Sequence, residues 1–271
     1  MSEDEFTFRD SSIPDPLQVT YGELLQKVES LREPVMQSAA IGNLLNTLAP
    51  EEAVWCLDQL LRGALWGHPS SLETMMATIW WLIEMRVNDE YEQIKDLFMA
   101  AHRAQREGVV DLFREVPAHR ALPKGRRLPE VRLPLERDVT LGERRAMASG
   151  PKRRILERLL MDPSALVIEK LLDNPQIQLQ DVLQICSRRP TTPDLLLTVV
   201  RHRRWYGRMA VRDAVVRNPF NDTGLSLKLL ATIRLKTLRD IAFSSDLHEL
   251  VHQSAQRLVR LREERTAPWR V

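Results

Sequence analysis

Leu166-Val167-Ile168-Glu169-Lys170-Leu171-Leu172-Asp173-Asn174-Pro175 is answered 44 residues later by Ala210-Val211-Arg212-Asp213-Ala214-Val215-Val216-Arg217-Asn218-Pro219. In both phrases the large apolar residues recur at i and i+4, so each predicts an amphipathic helix with one buried face. Both end in Asn-Pro. Proline cannot continue a helix, and asparagine tolerates the conformation that terminates one. A second helix is expected soon after each stop, through Val182, Leu183 and Ile185 and through Leu225, Leu227, Leu229 and Leu230. Asp162-Pro163 and Arg189-Pro190 are further stops of the same kind. A unit this small cannot cover its own apolar face, so the pattern predicts stacked helical repeats over residues 153–263.

Working outward, residues 18–116 carry helical periodicity in about five segments joined by short turns, which predicts a helical bundle. Pro50-Glu51-Glu52 opens one of these helices, and Ser70 with Glu73 reads as a capping box opening another. Residues 1–17 are acidic, hold Pro14 and Pro16, and read as a disordered tail; residues 264–271 read as a second tail. Between bundle and repeats, residues 117–152 hold Pro117, Pro123, Pro129 and Pro134 among arginines, and predict an extended Pro/Arg-rich linker. Glycine is scarce, 10 in 271 residues, while helix formers abound. The fold class expected is therefore all-α: an N-terminal bundle followed by a C-terminal repeat array.

The Asp162-Pro163, Asn174-Pro175 and Asn218-Pro219 phrases, with Val167, Ile168, Leu171, Leu172, Val211 and Val215 before them, resemble the leucine-rich-repeat-variant and HEAT-like families of α-solenoids. The resemblance covers about residues 140–262. It implies a superhelical stack that serves as a binding surface or scaffold. Variant members with an iron–sulfur cluster hold it through a cysteine cluster, which this chain lacks, so no cofactor is implied.

The formal charge of +2 conceals a split. Residues 1–117 hold 9 Lys+Arg against 20 Asp+Glu, and residues 118–271 hold 30 against 17. Such halves attract each other, associate between copies, or leave the basic half for an acidic partner. The densest basic cluster, Arg201, Arg204, Trp205, Arg208, Arg212 and Arg217, is the expected partner groove. Arginines interleaved with aromatics also suit nucleic acid, through phosphate contacts and stacking. The linker cations Lys124, Arg126, Arg127, Lys152, Arg153 and Arg154 are a second place for an acidic partner or for the acidic bundle to dock.

One stretch has a catalytic pattern. His248-Glu249-Leu250-Val251-His252 spells H-E-x-x-H, in which two imidazoles one helical turn apart ligate zinc and the carboxylate serves as base. Ala255 and Leu258 stand where the extended motif requires glycine and a third histidine. Glycine-rich phosphate loops, G-x-S-x-G elbows and C-x-x-C pairs are absent. The expectation is a non-enzymatic adaptor or scaffold without cofactor or metal, its partner an acidic protein segment. Nucleic acid is the alternative partner, and a zinc hydrolase the third reading. The two cysteines, Cys56 and Cys186, sit in apolar stretches and are expected as buried free thiols in a reducing, cytoplasmic setting. The opening Met1 to Asp10 lacks the apolar core of a signal peptide, and no segment is long enough to cross a membrane.

Overall fold

The computed structural model describes residues 15–87, 91–134 and 137–266, and every regular element among them is a helix. Six helices build the N-terminal bundle: α1 (Asp15–Ser30), α2 (Pro34–Thr47), α3 (Pro50–Trp66), α4 (Pro69–Val87), α5 (Tyr91–Arg103) and α6 (Glu107–Phe113). Three of them start on proline, where the missing N–H would have had no partner in the helix and φ is already helical. α4 packs against α1, α2 and α3. Its approach to α2 is close: a Cβ on Gly42 would stand 2.6 Å from Trp81 Nε1. Residues 1–14 of the expected tail lie outside the described residues, whereas Asp15 to Leu17 already belong to α1. α4 begins at Pro69, ahead of the expected Ser70 cap, and Glu73 instead accepts a hydrogen bond from Gln37 Nε2 at 2.6 Å, tying α4 to α2.

The second half holds α7 (Leu141–Ala148), α8 (Arg153–Leu159), α9 (Ala165–Asp173), α10 (Leu179–Ser187), α11 (Pro193–Val200), α12 (Met209–Val216) and α13 (Thr223–Leu229). A 3-10 turn at Leu230–Thr232 leads to α14 (Leu235–Ala242) and α15 (Glu249–Thr266). α9 lies against α7 and α11, and α10 lies against α12. Polar ties run between the same neighbours. Asn174 Nδ2 donates to the Ala148 and Gly150 carbonyls at the end of α7, at 2.8 and 2.9 Å. Asn218 Nδ2 donates to the Cys186 and Arg188 carbonyls at the end of α10, at 2.7 and 3.0 Å. In each case Oδ1 accepts the N–H two residues on, from Gln176 and Phe220.

These contacts run at a shorter spacing than the 44 residues between the two Asn-Pro phrases. The ties reach back 24 to 33 residues, joining α9 to α7 and α12 to α10, helices two places apart in the chain. The two phrases 44 residues apart belong to α9 and α12. The likeness of the two Asn-Pro phrases has a local cause: each asparagine donates to two otherwise unpaired carbonyls at a neighbouring helix end. Asn174 is itself extended, at φ −67° and ψ 128°, so its value there is the side-chain amide rather than tolerance of a left-handed backbone. Asp162 makes the same turn, accepting Ser164 N at 2.9 Å. Its second oxygen meets Arg144 at 2.8 Å, so the carboxylate is answered by a cation where the amides meet carbonyls.

The expected linker is only partly extended. Residues 141–148 form α7, opened by a capping box in which Thr140 Oγ1 accepts Glu143 N and Glu143 accepts Thr140 N. The stretch before it is docked: Leu128 is buried, and Arg120 N donates to the Pro219 carbonyl at 2.9 Å. The expected C-terminal tail begins later than 264, because α15 continues to Thr266; residues 267–271 lie outside the described residues.

The N-terminal bundle and the C-terminal helices share one apolar core. α13 packs on α6, the 3-10 turn on α3 and α4, and α15 on α3 and α6. Gly224 sits close to the bundle: a Cβ there would fall 2.5 Å from the Arg114 carbonyl. No helix among the described residues is long and apolar enough to cross a membrane.

Candidate functional site: the basic surface and the seam

The charge split is used first inside the molecule. Arg201 pairs with Glu84, and Arg203 Nη1 lies 3.4 Å from Glu33. Lys228, nearly fully buried, reaches Glu115 at 3.1 Å and the Arg114 carbonyl at 3.3 Å. Arg257 Nη2 and Ser254 Oγ both contact Asp111 at 2.5 Å. Burial raises the Asp111 carboxyl above its ordinary pKa, against the lowering effect of Ser254, Arg257 and Arg114. Next to these ion pairs Trp80 and Tyr206 meet edge to face, with ring centroids 5.1 Å apart. The partly exposed pairs contribute little each, about 0–1 kcal/mol, so the apolar contacts carry most of the seam's stability and the charges set its register.

This organisation revises the expected partner groove. Trp205 is 3% exposed and donates Nε1–H to the Leu172 carbonyl at 3.0 Å. Arg204 lies over the Trp205 ring at 4.5 Å and donates to the Asn174 and Ile177 carbonyls at 3.0 and 3.1 Å. Arg212 is also 3% exposed, and its guanidinium serves the Thr232 and Tyr206 carbonyls. Burial lowers its pKa from the usual arginine value. Arg217 pairs with Asp240, and Arg201 faces Glu84 across the seam. Of the six residues only Arg208, exposed at the start of α12, has a side chain without a partner among the described residues. The cluster is mainly a set of structural ties, because the carbonyls at ends of α9 and around Thr232 need donors.

The free cations lie elsewhere. Lys124, Arg126, Arg127 and Arg132 on the docked stretch, with Arg145 on α7, are exposed, and their side chains have no hydrogen-bond or ion-pair partner among the described residues. The same holds for Lys152, Arg154 and Arg158 at and on α8, where Arg154 and Arg158 share one helix face at i, i+4. Their neighbour Arg153 is different, held bidentately by Asp181 at 2.6 and 2.8 Å. α7 and α8 pack together, which places Arg145, Arg154 and Arg158 on one helix pair. Part of this set was named in the linker reading; Arg132, Arg145 and Arg158 were missed. Their mark in the sequence was weak: an excess of basic over acidic residues from 120 to 158, twelve against five.

The H-E-x-x-H residues stand apart from both sets. α15 begins at Glu249, so His248 precedes it and accepts Leu250 N on Nδ1 at 3.1 Å. His252 Nε2 lies 3.0 Å from the Leu247 carbonyl. His119 is the imidazole nearest His248, at 6.1 Å between centroids. Among the described residues no three His, Cys, Asp or Glu side chains are grouped to hold a metal ion. Cys56 and Cys186 are buried free thiols, each pushed up to about 12 by burial.

Compared with known proteins, the chain matches no family model, no curated protein and no solved structure.

Proposed function

We propose that this chain is a non-enzymatic adaptor or scaffold that captures an acidic protein segment on the cations between Lys124 and Arg158. One observation carries the reading. Eight exposed Lys and Arg side chains in that stretch have no partner among the described residues, whereas most cations of the Arg201–Arg217 cluster are paired or hydrogen-bonded. Unpaired cations on a rigid helical unit attract carboxylates without first breaking internal bonds. Packing between helices two places apart in the chain supports a helical-repeat solenoid of the leucine-rich-repeat-variant or HEAT-like kind, as the sequence resemblance implies. The buried free thiols fit a reducing, cytoplasmic setting.

A protein partner is favoured over nucleic acid by the fate of the aromatics. Trp205 is buried with its N–H bonded, and Tyr206 packs on Trp80, so neither offers a face for base stacking.

The test is fluorescence anisotropy of a labelled polyglutamate peptide against the full chain. Arg145→Glu, Arg154→Glu and Arg158→Glu together should weaken binding by about tenfold or more, while Lys236→Glu, an exposed cation outside the set, should not. Unchanged affinity in the triple variant overturns the reading. Tighter binding of a labelled DNA duplex at the same salt transfers the site to nucleic acid.

A further inference from the structure

The seam between bundle and repeats contains a cleft of about 300 Å³, at the small end of the range for small-molecule sites. It shares no lining residue with the cations at 124–158 and does not depend on them. Its walls come from three places: Leu61 on α3, Leu112 on α6, and Leu227, Leu230, Leu258 and Leu261 from the C-terminal elements. At the lip, Gln105 holds a left-handed backbone at φ 54° where α5 ends, a conformation uncommon for a residue with a side chain.

The polar lining is unequal in sign. Arg62, Arg106, Arg257 and Arg260 stand against Asp58, Glu107 and Asp111. Arg62 is bound to Asp58 at 2.8 Å and Arg257 to Asp111 at 2.5 Å, which neutralises two of the cations. Arg106 is only loosely held, 3.5 Å from Asp58. Arg260 is exposed and has no partner among the described residues. The other carboxylate oxygen of Asp111, Oδ1, faces Arg114 Nε at 3.0 Å as an ion pair without well-formed hydrogen-bond geometry. Leucine walls, one surplus positive charge and a free guanidinium at the edge form a chemical pattern: apolar within, singly cationic at the rim.

We infer that this cleft binds a small amphipathic carboxylate, its apolar body against the leucines and its carboxylate on Arg260 and Arg106. A monoanion matches the surplus of one. A phosphate monoester, close to dianionic at neutral pH, would bring its second charge against Asp58, Asp111 and Glu107. An amine would meet the guanidiniums.

The experiment is calorimetric titration of the full chain with sodium octanoate, with octylamine and octyl phosphate as comparisons. Octanoate should bind, the amine should not, and the phosphate should bind more weakly. Arg260→Glu breaks no ion pair among the described residues and should weaken octanoate about tenfold. Leu261→Trp, at the half-buried edge of the cleft, should abolish binding by filling it, with circular dichroism confirming an unchanged helix content. The inference is overturned by absence of octanoate binding, by equal binding of amine and carboxylate, or by binding that neither variant alters. Because Arg260→Glu leaves the 124–158 cations intact, polyglutamate binding should persist in it; the two proposals therefore fail separately.

Discussion

Replacing Asn218 by alanine removes one side chain that closes three backbone gaps at once. Its amide donates to the Cys186 and Arg188 carbonyls and accepts the Phe220 N–H, and the residue is 1% exposed. Three net hydrogen bonds at about 0.5–1.5 kcal/mol each give about 1.5–4.5 kcal/mol, and buried carbonyls left without donors push toward the upper end. Release of the asparagine rotamers returns up to about 1 kcal/mol. The expected loss is about 2–4 kcal/mol, a large share of a stability that for natural domains is about 5–15 kcal/mol. Asn218→Asp sharpens the test. It keeps the acceptor for Phe220 but turns an acceptor-only group toward two carbonyl oxygens, so it should cost at least as much as alanine. The assay is urea denaturation followed by circular dichroism, with exposed Gln184→Ala on α10 as control. A loss below about 0.5 kcal/mol for Asn218→Ala, within the usual range of surface substitutions, would refute the idea that these amides tie successive units.

Two further outcomes follow from the same structure. Arg212→Ala should cost about 2–4 kcal/mol in the same assay by stripping the Thr232 and Tyr206 carbonyls of their donors, and should leave polyglutamate affinity unchanged. A stable variant with weakened binding would return Arg212 to the partner surface. Glu143, held by Arg137 and by the Thr140 cap, has its carboxyl pKa lowered to about 2. Its contribution to holding α7 is therefore present above the unfolded value of about 4.3 and lost as pH falls toward about 2. Carbon-detected NMR titration should find that midpoint, and one near 4 would contradict the pairing.

Helix content and helix ends were legible in the sequence because both are local. Apolar spacing and the proline at 50 mark them without reference to anything distant, although the start of α4 falls at Pro69 and not at the expected Ser70 cap. The likeness of the two Asn-Pro phrases has a related cause. Asn174 and Asn218 do the same local work, so their phrases look alike, yet one ties back to the end of α7 and the other to the end of α10. α7 was hidden by the prolines around it, although Thr140 and Glu143 spelled its capping box. The arginine cluster was the least legible feature. Whether Arg203 is free depends on Glu33, 170 residues away, and whether Arg201 is free depends on Glu84, 117 residues away. Composition reports that such charges exist; only the fold reports which are already matched. The seam cleft could not be foreseen either, since its walls come from α3, α6 and α15.

The most direct measurement asks whether the acidic and basic halves are one body. Segments 1–116 and 117–271, expressed separately and mixed, can be weighed by light scattering after size-exclusion chromatography. Leucines of α3, α6 and α15 would be bared in the separated pieces, and Glu84, Asp111 and Glu115 would lose Arg201, Arg257 and Lys228 respectively. The expected result is a one-to-one complex. Two folded monomers that stay apart at low salt would contradict it, and would return the whole positive charge of the second half to outside partners.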